Sequence, residues 1–147
     1  MLFQNDRRWR NIPLGRSSVT IGSHGCLITS LCNSYNIRRG QEILTPDIFN
    51  QKMIDMGGYT PGGLVIWSVA QKILNAEINS NYTQGMFNMD DYFYIVNYIF
   101  GGIGHFTNLI GFDGFDVNVF DVYDGDHKKI PRKEIRRVVS ISYDNRG

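Results

Sequence analysis

Cys26 closes the stretch Ile21-Gly22-Ser23-His24-Gly25-Cys26, where a glycine turn gives way to an apolar helical pattern. That puts a thiol in the first turn of a helix, where unpaired backbone N–H groups and the positive end of the helix dipole favour a thiolate. A free thiol with a pKa of about 8.5 is little ionised at neutral pH, so a neighbouring imidazole is a sensible second activator. His105 supplies one, at the start of a predicted strand just after Gly101-Gly102-Ile103-Gly104. A proton-shuttling imidazole needs an acceptor for its other ring nitrogen, the part a carboxylate plays in the serine-protease template. Asp121 lies inside the apolar run Val117-Asn118-Val119-Phe120-Asp121-Val122-Tyr123, where an unsatisfied carboxylate is costly, and Asp124 follows just beyond it. A regular hairpin pairing Phe112 with Val117 sets Asp124 opposite His105; a β-bulge would turn Asp121 to the histidine face instead. Cysteine, histidine and aspartate point to acyl transfer, whose tetrahedral intermediate needs donors for its oxyanion. The Cys26 backbone N–H is one candidate, and a side-chain amide near the N-terminus is the other, Gln4 in preference to Asn5.

These residues must be carried by separate elements. Ile28, Leu31, Cys32 and Tyr35 recur at i, i+3, i+4 and i+7, so the helix that begins at Cys26 buries one face, and Cys32 reads as a small core residue. The two cysteines are six positions apart, about 9 Å and about 240° on a helix, too far to bridge. Thr45-Pro46-Asp47 marks a second helix, with Thr45 as N-cap, Phe49, Met53 and Met56 inward, and Gly57-Gly58 at its end. A third helix is predicted over 64–74, with Ile66, Val69, Ala70 and Ile73 inward and Trp67 in a packing role. From Ala76 onward β-branched and aromatic residues dominate. Strands are predicted over 92–100, 105–112, 117–123 and 137–143, with a polar loop over 124–129 and one helical turn over 131–135. Residues 1–10 read as a loop with aromatic anchors Phe3 and Trp9, and 11–22 as a turn-rich run. Helices first and an antiparallel sheet second make an α+β fold, expected as a single domain over 1–147.

Composition narrows the function classes. A formal net charge of +1 gives no electrostatic reason to expect nucleic acid, and the basic run from Lys128 to Arg137 reads as a solvated face. No export signal or membrane span is read in the chain. His24, His105 and His127 lack helical ligand spacing and no C-x-x-C is present, so neither a metal nor a cofactor is expected.

The residues quoted above carry a resemblance to the papain-like cysteine peptidases of the bacteriocin-processing, double-glycine-leader type, in the soluble branch found in bacteria and their phages. Its motifs run through most of the chain: Phe3-Gln4-Asn5-Asp6-Arg7-Arg8-Trp9, Leu14-Gly15, Thr20 to Cys26, Thr45-Pro46, Gly57-Gly58-Tyr59, Gly104-His105-Phe106 and Gly111 to Gly114. Asp121-Val122 stands where that family has Asp-Pro. The resemblance implies a papain-like fold with Cys26 as nucleophile, His105 as base and then acid, Asp121 as the orienting carboxylate and Gln4 as oxyanion donor. It implies a cysteine peptidase or amidase acting on peptides, with the peptide of bacterial cell-wall peptidoglycan the expected substrate and a phage lytic enzyme or virion component the expected setting. The rival expectation is a catalytically idle papain-like domain that serves a larger assembly such as a phage particle.

Overall fold

The computed structural model describes residues 1–83 and 85–143. Its elements follow in the order α1 (Ile21–His24), α2 (Cys26–Arg39), α3 (Pro46–Asp55), α4 (Trp67–Leu74), β1 (Ala76–Asn79), β2 (Phe93–Phe100), β3 (Ile103–Phe112), β4 (Asp116–Phe120), β5 (His127–Pro131), a 3₁₀ turn (Arg132–Glu134) and β6 (Arg137–Tyr143). The strands form a six-stranded antiparallel sheet in the order β1-β6-β2-β3-β4-β5, so the fold is α+β with the helices first.

Alternation along β2 divides the apolar residues between two clusters. Ile95 joins Ile28, Leu31, Cys32, Phe49 and Ile141 in the cluster formed with the helices. Tyr94 and Val96 join Leu109, Val117 and Val119 on the opposite face of the sheet, covered by Tyr82, Phe87, Ile130 and Ile135. Helix α2 also buries polar side chains against β3. Asn33 Nδ2 donates to Asn108 Oδ1 at 2.9 Å, and Asn108 Nδ2 donates to Ser30 O at 3.0 Å. Asn33 also pins the N-terminal segment, accepting from Leu2 N–H at 2.7 Å and donating to Leu2 O at 2.9 Å. Asn108 thus stands beside Ser30 and Asn33 of α2, and three residues earlier on β3, about 10 Å away, His105 stands beside Cys26 at the start of that helix.

Several expected elements differ in detail. The turn-rich run ends in the short helix α1, capped by Thr20, whose Oγ1 accepts from Ser23 N–H while its own N–H donates to Ser23 Oγ. Thr45 stands at the N-cap of α3, but its side chain makes no capping bond. Met56 lies past the last turn of α3 and is exposed, because Gly57 reverses the chain there with φ +67°. Helix α4 starts at Trp67 rather than Leu64: Thr60 N–H bonds to Leu64 O at 2.8 Å, a turn that leaves Leu64 71% exposed. Trp67 packs against the main core. The run after Ala76 opens with the short edge strand β1. Strand β4 stops at Phe120, and β5 occupies most of the expected polar loop. An edge strand pairs through its backbone on one side only and can remain rich in lysine, so alternation of apolar residues does not announce it. The basic run is not simply solvated either: Arg132 donates to Gly85 O, Arg137 to Ser80 O, and Lys128 enters the buried network described next.

Candidate active site

Cys26 is the first residue of α2, with Gly25 as N-cap. The junction between α1 and α2 demands glycine, because a Cβ at Gly25 would sit 2.5 Å from Ile21 O. The first helical N–H has no acceptor within its own helix, so the Cys26 thiol and backbone N–H stand together at the positive end of α2. The thiol is half-buried and lines a cleft of about 300 Å³ that His105, Gln4, Leu64, Ile103 and Tyr123 also line.

His105 is delivered by a two-residue hairpin. Gly101 and Gly102 both adopt positive φ, +59° and +82°, as a type I′ turn requires, and so fix Tyr98 opposite His105 on β2 and β3. The imidazole is buried among three aromatic rings, Phe100 at 5.3 Å, Tyr98 at 5.7 Å and Tyr123 at 6.4 Å between centroids.

Asp121, not Asp124, reaches the histidine. Phe112 pairs with Val117 as in a regular hairpin, but the register shifts between Leu109 and Gly111, and Asn108 then pairs with Phe120. Extending that register by one residue sets Asp121 across from Thr107, on the same face as His105. Thr107 Oγ1 stitches the strand end, donating to Phe120 O and accepting from Val122 N–H. Asp121 is fully buried and accepts four hydrogen bonds. Oδ1 takes His105 Nε2 at 2.6 Å and Tyr123 N–H at 2.9 Å; Oδ2 takes Lys128 Nζ at 2.7 Å and the Tyr98 hydroxyl at 2.9 Å. These fill a carboxylate's lone-pair sites. Asp124 instead holds Lys128 from the other side, at 3.0 Å.

The electrostatics follow from this wiring. Burial by itself pushes the Asp121 carboxyl up, but the bonds from His105, Lys128 and Tyr123 N–H outweigh it and hold the group well below the usual carboxylate range. Burial likewise disfavours the charged form of His105, yet the bond to Asp121 and the interaction with Cys26 raise it to about 9. Burial and the Asp121 charge push the Tyr98 hydroxyl up, so it remains a donor. With Nε2 committed to Asp121, Nδ1 is the ring nitrogen left for Cys26.

Gln4 is buried against the same cleft. Its backbone N–H donates to Val122 O at 2.6 Å, its Nε2 donates to Gly22 O at 3.0 Å, and Trp9 Nε1 donates to Phe3 O at 2.9 Å, anchoring the loop. The Gly22 carbonyl fixes which end of the amide is nitrogen, and the second Nε2 hydrogen remains for the cleft, while Oε1 is buried without a partner. Asn5 is occupied elsewhere, donating to Tyr123 O at 3.0 Å.

The structure thus gathers Cys26, His105, Asp121 and Gln4. It adds Tyr98, Lys128, Phe100 and Tyr123, which sequence reading did not single out. The Gly101-Gly102 turn was a usable signal for Tyr98, since a two-residue loop dictates which residue faces His105. Among the described residues, no group of three or more histidine, cysteine, aspartate or glutamate side chains is placed to hold a metal ion, and no helix is long and apolar enough to cross a membrane. No family model matches the chain, and no curated protein sequence matches it.

Proposed function

We propose that this chain is a papain-like cysteine peptidase or amidase that cleaves through a thioester. The observation that carries the reading is the buried Asp121–His105 pair beside the half-buried Cys26 thiol at a helix N-terminus, around a cleft that Gln4 also lines. Cys26 Sγ attacks the carbonyl carbon as a thiolate, its proton held on His105 Nδ1. The developing oxyanion is met by the Cys26 backbone N–H and the spare Gln4 N–H. His105 passes its proton to the departing amine, the C–N bond breaks and the thioester is left. Water then attacks the thioester with His105 as base, the C–S bond breaks and the acid and free thiol are released. Asp121 keeps the imidazole oriented and stabilises its protonated form throughout. The wall peptide of bacterial peptidoglycan is the first substrate to offer, on the strength of the resemblance.

Incubation of the protein with purified peptidoglycan and, separately, with casein tests this. New amino termini are expected with the intact chain and none with Cys26→Ala. Equal release by both proteins would overturn the reading, and would favour an idle domain within a larger assembly.

A further inference from the structure

Lys128 belongs to the site although it does not line the cleft. Its ammonium lies 2.7 Å from Asp121 Oδ2 and 3.0 Å from Asp124 Oδ2, and 4.4 Å from the centre of the Phe100 ring. That ring in turn packs, tilted by 36°, against His105 at 5.3 Å between centroids. Strand pairing explains the placement: Phe120 pairs with His127 and Val119 with Lys128, so β5 carries the lysine alongside the turn that begins at Asp121. Burial pushes the ammonium toward its neutral form, and the two carboxylates outweigh that and keep it charged.

We propose that Lys128 is a positioning residue of the catalytic machinery: it holds Asp121 by one carboxylate oxygen and draws off part of its charge, thereby limiting how tightly Asp121 retains the proton on His105. The inference rests on the peptidase reading for its consequence, because an imidazole that keeps its proton too tightly is a poor acid toward the departing amine and a poor base toward water.

The geometry separates positioning from charge. Without Lys128, Asp121 still accepts from His105, Tyr123 N–H and Tyr98, so the carboxylate stays in place and its charge is left to the imidazole. Without the Asp124 charge, Lys128 is held by Asp121 alone and opposes the imidazolium more strongly. The two changes therefore act in opposite directions. The other titratable groups around His105 are Cys26 on α2, Tyr98 on β2, Tyr123 beyond β4, and His24 of α1, which lines the same cleft. The Cys26 thiol is the one that interacts directly with the imidazole and contributes to its shift, so it is removed for the measurement.

The experiment follows His105 by NMR in the isotope-labelled full chain carrying Cys26→Ala, with the signal assigned by its loss in His105→Ala. Added to that background, Lys128→Met is expected to raise the His105 midpoint by about half to one pH unit, and Asp124→Asn to lower it. Lys128→Arg, which keeps the charge, is expected to leave it within about 0.2 units. An unmoved or lowered midpoint in Lys128→Met would overturn the proposal, as would Asp124→Asn shifting upward or not at all. Asp124 is exposed, so that arm reports even should Lys128→Met fail to fold. Failure of the peptidase reading shows separately, as identical His105 midpoints with and without the Cys26 thiol.

Discussion

Two cysteines on one helix occupy opposite chemical environments. Cys26 opens α2, half-buried, with the helix N–H groups at its back and His105 before it. Cys32 sits nearly two turns later, fully buried among Leu31, Ile28 and Phe49, and burial raises its thiol well above the ordinary value. Position along a helix, rather than residue type, therefore separates a thiol placed to react, as proposed for Cys26, from one that fills the core, as Cys32 does. The first turn offers unpaired donors and an open face; the middle offers neither.

Exchanging each sulfur for oxygen breaks this comparison most sharply. Cys26→Ser is expected to abolish cleavage while leaving the urea unfolding free energy within about 1 kcal/mol, since the site is half-open. Cys32→Ser places a hydroxyl in the main core and is expected to lose about 1–3 kcal/mol in the same unfolding assay, with cleavage per folded molecule unchanged. Loss of stability in the first variant and loss of cleavage in the second would reverse the assignment.

A smaller effect sharpens it through pH. His105 rises from 6.5 to about 9 on folding, so its contribution to stability is full below about pH 6.5, fades as pH climbs, and is gone above about 9. Asp121 has the opposite sign: it falls below 3.8 on folding, so its contribution is present above that pH and is lost on further acidification. Urea midpoints are expected to be higher at pH 6 than at pH 9.5, and His105→Ala is expected to flatten that decline. A decline of the same size in His105→Ala would place its origin elsewhere.

Cys26 and His105 were legible because their signals are local. Gly25 before Cys26, the spacing of Ile28, Leu31 and Cys32, and the glycines before His105 each declare an element within a few residues. Asp121 was legible as a carboxylate stranded in an apolar run, but its facing depended on a bulge that no local residue announces; the register shift between Leu109 and Gly111 decides it. Lys128 was not legible at all. It lies in a polar segment indistinguishable from a loop, and only the pairing of β5 with β4, settled by the whole sheet, brings it to Asp121. Local pattern therefore located the candidate reacting groups, and non-local pairing supplied the charge that surrounds them.

The most direct test of the central claim, that Cys26 is an activated nucleophile, is the rate of iodoacetamide alkylation at pH 6 with the label mapped to each cysteine. Rapid labelling of Cys26, negligible labelling of Cys32 and a fall of about 100-fold or more at Cys26 in His105→Ala are predicted. Equal, slow labelling of both cysteines, unaffected by His105→Ala, would contradict the account.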